Sequence, residues 1–587
     1  MIRRLALIFA LPFFTLHLLT SPSSAEQARP NVILVMTDDQ GYGDFSCHGN
    51  PVLKTPHLDQ LAAESLRLTS FHVTPMCTPT RGQLLTGLDA LRNGAMNVSS
   101  GRTLLRRGIP TMADLFAAAG YQCGQFGKWH LGDNYPYRPQ DRGFHESLWY
   151  ASSHIGSAAD AWNNDYFDDI YWHNGRREQF EGYTTDVFFR EALRWMGEKA
   201  DANEPFFCYI PTAAAHGPLF VPDRYRQPYK DQPRNVASFF GMLANIDENM
   251  GRLESFLKDR KLRDNTIVVF LTDNGGTAGV PVFNAGMRGR KIELYEGGHR
   301  AACFIRWPAG KLQPPGEIAE LTQVQDLLPT LLDLCGIPKR DDAHFDGISL
   351  AGLLRGETDK LPDRKLVIQF SRMNAPVPRR GDACVLWNRW RLVNGDELYD
   401  VAADPAQRQN VAEKHPDIVA ELRQHYDRWW QAVSPEINHF SRVIIGADAE
   451  SPTRLSPCEW ADVFLDQMAQ VRRGERKNGV WHLEVEMGGK YEFTLRRWPA
   501  EADLPIVAAS PEHRGTDGSY PPGVALPIAK ARIKIGELDQ SAPIGADDKA
   551  VTFQTALEKG PVELQTWFYD ADGGAICGAY LVEIRRL

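Results

Sequence analysis

Apolar positions fall into three patterns along this chain. The first is short and unbroken: residues 30–36 (Pro-Asn-Val-Ile-Leu-Val-Met), the opening of 206–218 (Phe-Phe-Cys-Tyr-Ile-Pro) and the opening of 266–276 (Thr-Ile-Val-Val-Phe-Leu-Thr). Runs of this length that end in polar turns predict strands buried on both faces of a parallel sheet. The second is spaced by three and four. Leu58, Leu61, Ala62 and Leu66 in 56–68 fit helical spacing, as do Phe240, Leu243, Ile246, Met250, Leu253 and Leu257 in 237–260. These stripes predict helices facing a core. Residues 111–120 read as a helix stopped by Gly120. The third pattern has period two and begins late: Trp481–Val485, Tyr491–Leu495, Ala531–Ile535, Val562–Trp567 and Ala579–Ile584. Alternation divided by Gly and Pro segments predicts antiparallel strands, hence an all-β, sandwich-like domain over 475–587.

The chain therefore reads as an α/β protein with a large, mostly parallel sheet flanked by helices. A smaller α+β segment of short strands and a terminal helix follows over 361–434, then a mixed linker, 435–474, and the β domain. Arg3 and Arg4 precede an apolar stretch from Leu5 to Leu19, and Ser23-Ser24-Ala25 follows. The stretch is short for a membrane span, so 1–25 reads as a signal peptide cut near Ala25, and the protein as exported, periplasmic or secreted. No later segment reads as transmembrane.

Composition adds exclusions. With 587 residues, 43% hydrophobic and 24% charged, there is ample core. A net charge of −9 without a strong basic run argues against nucleic acid as a partner. Nine cysteines are too few for a disulfide scaffold, and their pairing is not readable.

Candidate chemistry sits where the unbroken strands end. Residues 30–36 lead into Thr37-Asp38-Asp39-Gln40-Gly41, and 266–272 leads into Asp273-Asn274-Gly275-Gly276. Ligands of such sheets gather at the carboxyl ends of strands. Either turn alone is an ordinary Asp/Gly turn. Together they offer three carboxylates and an amide, an all-oxygen set that suits a hard cation. Cys77-Thr78-Pro79-Thr80-Arg81 opens a further predicted helix, where free N–H groups favour an anion. A lone cysteine there is more often simply buried. His216, in the loop after 206–211, is by itself an ordinary loop residue.

Cys77-x-Pro79-x-Arg81 resembles the signature of the type I sulfatases, in which the cysteine is oxidised to formylglycine. Gly127-Lys128-Trp129-His130-Leu131-Gly132, the Lys291-x4-Glu296-Gly-Gly block, Phe345-Asp346-Gly347 and Glu397-Leu398-Tyr399-Asp400 resemble further blocks of that family. The resemblance covers roughly residues 30–430. It implies an alkaline phosphatase-like catalytic domain over 26–360 and a C-terminal sulfatase subdomain over 361–434. It implies a metal site of Asp38, Asp39, Cys77, Asp273 and Asn274, usually filled by Ca²⁺, with Mg²⁺ or Mn²⁺ as alternatives. It gives Lys128 and Lys291 to the sulfate, Arg81 to support of the nucleophile, His130 to the proton of the second hydroxyl, and His216 to the leaving oxygen. Ser153 and His154 line the pocket in this reading. The substrate is a sulfated carbohydrate or a small aryl sulfate. A formylglycine-generating or anaerobic sulfatase-maturing enzyme is then a required partner. Two other readings stay open: a phosphonate monoester or phosphodiester hydrolase of the same superfamily, and a sugar-binding protein with a dead site. Aromatic residues at 149–173 (Trp149, Tyr150, Trp162, Tyr166, Tyr171, Trp172 and His173) serve either as sugar platforms or as packing. Asn97-Val98-Ser99 is a sequon.

Overall fold

The structure is a computed structural model that describes residues 29–340 and 343–587, so the expected signal segment 1–25 lies outside the described residues. Asn31–Thr37 occupies the middle of a ten-stranded sheet, parallel to Thr266–Thr272 on one side and Phe206–Pro211 on the other. Gln122–Phe126 and Glu146–Trp149 extend the parallel order beyond Phe206–Pro211. Antiparallel pairing enters on both flanks: at Cys303–Arg306 beyond Thr266–Thr272, and at Ile170–His173 with Arg176–Gln179 at the far edge. Val32, Leu34 and Met36 enter one core with Leu84, Leu327 and Leu331. Ile33 and Val35 enter the opposite core with Phe188, Leu243 and Ile246. Burial on both faces is why the run is unbroken, and each such side chain contributes about 1.5–3 kcal/mol. Helices Cys77–Thr86, Met112–Ala118 and Leu327–Leu334 carry residues of the first core, and Thr184–Asp201 and Arg234–Asp259 carry residues of the second.

The stretch 56–68 is not one helix. Pro56–Ala63 is helical, and Leu66–Leu68 turns away as a short strand that pairs with Cys303–Arg306 and Gly316–Ile318. Leu66 is buried by sheet pairing, although its spacing from Leu58 fits a helix. A four-stranded antiparallel sheet, Lys365 to Asp400, carries helix Pro416–Val433 on one face through Val367, Leu392, Leu398, Val419 and Leu422.

Two further sheets, antiparallel except for one short parallel edge strand, close over one core at the C-terminal end. Trp481, Leu483 and Val485 from Val480–Val485 meet Tyr491, Phe493 and Leu495 from Gly489–Arg496. The segment expected as a linker, 435–474, is part of this body. Val443–Ile445 pairs with Val480–Val485, and Thr453–Leu455 pairs with Leu581–Arg586. These strands are three residues each, too short for alternation to show in the sequence. Trp460, fully buried, meets Trp481 edge-on at 5.5 Å.

Of the aromatic residues at 149–173, Trp149, Tyr150, Tyr166 and Tyr171 are buried in the cores. Trp162 lies beneath Arg472 at 4.3 Å. Asn97 of the sequon is buried, and its amide donates to the carbonyls of Arg372 and Pro376, so it is no accessible glycan acceptor. All nine cysteines are free. Among the described residues no helix is long and apolar enough to cross a membrane.

Candidate active site

Three adjacent parallel strands end at one edge of the sheet and deliver Asp38, Asp273 and the loop to His216. The backbone ties these ends together. Asp273 N–H donates to Thr37 O at 3.1 Å, and Ala215 N–H donates to Asp38 O at 2.7 Å. Asp39 follows in the left-handed region, φ 59°, which turns its side chain back toward its neighbours. Asp38, Asp39 and Asp273 thus present carboxylate oxygens that all lie within 4.8 Å of one another. Asn274 joins them through Nδ2, 3.1 Å from Asp39 Oδ1.

Three cations face these three acids. Arg81, one turn into the Cys77–Thr86 helix and fully buried, donates to Asp273 Oδ2 at 2.8 Å and lies 3.7 Å from Asp38. Its other terminal nitrogen donates to Lys128 O at 3.2 Å. Lys128 pairs with Asp38 and Lys291 with Asp39. Burial alone would raise the Asp38 carboxyl. Lys128, with His216, Arg81 and Lys291 beyond it, outweighs burial and holds that carboxyl well below the usual carboxylate range. Asp273 moves the other way, up to about 6, because burial and the Asp38 charge outweigh Arg81. Burial works against the Lys291 ammonium, but Asp39 keeps its pKa above the ordinary lysine value.

This cluster fits a divalent cation. Asp38 Oδ1 and Asn274 Oδ1 are buried with no hydrogen-bond partner. Unpaired buried oxygens are costly unless something binds them. The donor set is all oxygen, as a hard cation requires. The acids and bases already balance three to three, so a bound dication would leave the pocket positive and receptive to an anionic group.

Cys77 starts its helix beside this cluster and is 2% exposed. Burial raises its thiol pKa, with Lys128 and Lys291 opposing. A buried thiol of raised pKa is a poor nucleophile in its own right. His130 is buried, with Nε2 2.8 Å from Val98 O. A carbonyl only accepts, so Nε2 carries the proton and Nδ1 is the unprotonated nitrogen; Nδ1 has no partner. Burial first, and then Lys128, keep this imidazole well below the ordinary histidine pKa. His216 is part-exposed; Nδ1 donates to Gly217 O at 2.8 Å, and Nε2 lies 3.9 Å from Asp39 Oδ2. Burial lowers its pKa against the pull of Asp39. His154 stacks on His216 with ring centroids 5.0 Å apart. Ser153 Oγ lies 2.7 Å from His154 Nδ1. The acids, cations, Cys77, Ser153 and histidines named as site candidates in the sequence are therefore neighbours at one end of the sheet.

Three residues of the surroundings carry no signal in the sequence. Asp466 Oδ2 accepts from Ser153 Oγ at 3.1 Å. Phe370 and Phe464 pack against Met76, Cys77 and Val98. Asp466 and Phe464 belong to the segment read as linker. Glu296 of the Lys291 block lies with His72 and His299 in a second buried cluster. Its carboxylate is already neutralised by Arg391 at 2.7 Å, which ties the four-stranded sheet to the catalytic domain.

This fold and pocket define a hydrolase of the alkaline phosphatase superfamily, and the chain belongs to the sulfatase family. The sulfatase family model matches residues 30–337. A second, N-sulphoglucosamine sulphohydrolase, C-terminal, matches residues 290–431. Human arylsulfatase A is 32% identical over 420 residues, which cover 64% of this chain and 78% of that protein. N-acetylgalactosamine-6-sulfatase of Canis lupus familiaris is 31% identical over 363 residues, 57% of this chain and 68% of that protein. The crystal structure of Ps i-CgsB in complex with k-i-k-neocarrahexaose superposes with a TM-score of 0.64 at 25% identity, covering 70% of this chain and 94% of that one. The chain is a type I sulfatase, a sulfuric ester hydrolase.

Lys128 depends on the glycine before it. Gly127 has φ 132°, and a Cβ there would stand 1.9 Å from the carbonyl oxygen of Pro211. Gly127→Ala is therefore expected to cost roughly 2–4 kcal/mol in urea unfolding and to displace the lysine from Asp38. A change below about 0.5 kcal/mol would show that the backbone is not held there.

Proposed function

We propose that the enzyme hydrolyses sulfate esters of a carbohydrate, using a formylglycine made from Cys77 and a divalent cation, calcium, held by Asp38, Asp39, Asp273, Asn274 and residue 77. The observation that carries this reading is that residue 77, at the start of the helix that carries Arg81, lies beside three buried, balanced acid–base pairs. Formylglycine, once hydrated, supplies one hydroxyl to attack sulfur and a second whose deprotonation expels sulfate and restores the aldehyde. A bound cation supplies positive charge and Lewis acidity beside it.

The protein's own residues do the rest. Lys128 and Lys291 neutralise sulfate oxygens, where preorganised charge counts most as negative charge builds on the reacting group. Arg81 pins Asp273 and Asp38 from the nucleophile helix. His130 offers the unprotonated Nδ1 to take the second hydroxyl's proton. His216 holds its Nδ1 proton on Gly217 O, so it passes a proton to the leaving oxygen from Nε2 in its imidazolium form, which Asp39 at 3.9 Å favours. Ester and water become alcohol, sulfate and one released proton.

A carbohydrate alcohol is favoured by the relatives. One is named for N-acetylgalactosamine-6-sulfate chemistry, and one solved neighbour holds a neocarrahexaose. The arginine-led apolar N-terminal stretch supports export to the periplasm or beyond, and the Cys77 motif supports dependence on a maturing enzyme.

Cys77→Ala is expected to lower sulfate release from an aryl sulfate by about 10³-fold or more, as loss of a nucleophile does. Its melting temperature should stay close to wild type; activity near wild type would exclude residue 77 as the nucleophile. Run side by side, a phosphate diester should turn over more slowly than the sulfate ester, and the reverse order would favour a phosphonate or phosphodiester hydrolase.

Metal binding has a separate readout. Calcium added to chelator-stripped protein should raise the melting temperature, by about 2.7 kcal/mol of stabilisation at a hundredfold excess over Kd. Asp273→Asn should blunt that response. No calcium-dependent shift in the wild type would remove the cation from this account.

A further inference from the structure

The two family models stop at residue 431, yet the β body beyond them reaches into the pocket. Gln467 forms an antiparallel bridge with Ser157. Ala158 N–H donates to Asp466 O at 2.7 Å, and Met468 N–H to Gly156 O at 3.2 Å. The segment 464–468 is therefore laced to the chain that follows Ser153 and His154. Gln470 Oε1 accepts from the N–H groups of Asp466 and Gln467, both at 3.1 Å, and fixes the turn.

Asp466 is 4% exposed. Burial pushes its carboxyl up to about 6, with the Ser153 hydrogen bond, Lys128 and Lys291 pulling the other way, and Oδ2 accepts from Ser153 Oγ at 3.1 Å. A carboxylate only accepts. The Ser153 hydroxyl must therefore donate to Asp466, and its oxygen is left to accept from His154 Nδ1–H. That chain of donors puts the proton of neutral His154 on Nδ1 and leaves Nε2 as an acceptor. Nε2 has no hydrogen-bond partner among the described residues, and the ring stacks on His216 beside the leaving-group position. Next to it, Phe464 packs against Met76, Cys77 and Val98 from the C-terminal side, with Phe370 from the four-stranded sheet. Lys477 Nζ holds the Phe464 carbonyl at 2.7 Å.

We propose that the C-terminal β domain completes the alcohol side of the active site: Asp466, acting through Ser153, is a positioning residue that keeps His154 Nε2 ready to accept a sugar hydroxyl, and Phe464 with Phe370 forms the apolar wall against that sugar. The inference rests on the carbohydrate reading above and adds the group that selects it. A site built to bond a hydroxyl discriminates against alcohols that lack one.

The test compares Asp466→Ala and Asp466→Asn with wild type, all matured at residue 77. The substrates are 4-nitrophenyl sulfate and the fastest-cleaved sugar among N-acetylgalactosamine 6-sulfate, D-glucosamine-2-N,6-O-disulfate and neocarrahexaose. Asp466→Ala is expected to raise KM for the sugar about tenfold or more, the scale of one lost polar contact, and to cost the aryl sulfate far less. Asp466→Asn keeps an acceptor for the Ser153 hydroxyl and should stay within about threefold of wild type on the sugar. Equal losses on both substrates, no loss on either, or failure of Asp466→Asn to rescue would overturn the inference. A wild type that cleaves the aryl sulfate but none of the sugars overturns this inference and the carbohydrate reading, and leaves sulfate-ester hydrolysis standing. A matured wild type that cleaves no sulfate ester overturns the proposed mechanism itself.

Discussion

Asp38, Asp39 and Asp273 cannot be buried together as bare charges. Desolvation and mutual repulsion would cost several kcal/mol for each ion. The molecule meets that constraint by bringing Arg81, Lys128 and Lys291 to them from a helix, a strand end and a loop. The sheet order follows from the same need. Asn31–Thr37 lies between Phe206–Pro211 and Thr266–Thr272, so the Asp38 and Asp273 turns are neighbours and His216 arrives beside them. A dication on the carboxylate side tips a neutral balance toward positive, which is what an anionic ester requires on approach.

Much of this was legible because the motifs sit at ends of strongly patterned elements. Residues 30–36 and 266–272 are apolar without a break because Val32 and Ile33 face opposite cores, and the acids that follow had to fall at one edge. The Cys77 helix is a different case. Thr78, Thr80, Arg81, Gln83 and Thr86 are all buried, so no apolar stripe announces it. Only the motif marks the place. Leu66 misled by spacing, since sheet pairing buries it as well as a helix face would.

What could not be read lies in short or irregular pieces that tertiary contact decides. Val443–Ile445 and Thr453–Leu455 are too brief to show period two. Asp466 is one acid in an irregular stretch, and its meaning comes from Ser153, more than 300 positions earlier in the chain. The same holds for the clamp on the other loop. Asp517, from the β domain, pairs with Arg226 at 2.6 Å and accepts from Val221 N–H at 2.9 Å, just beyond His216. The domain that reads as an appendage in sequence thus holds the loops that carry His154 and His216.

Residue 77 is the group on which hydrolysis depends, buried at a helix start beside Lys128 and Lys291. Mass spectrometry of the peptide that spans it, taken from protein made in its native host, addresses this directly. The expected mass is that of an aldehyde or its hydrate, with the sulfur and two hydrogens of the cysteine replaced by one oxygen in the aldehyde. A peptide carrying only the unmodified thiol would contradict it.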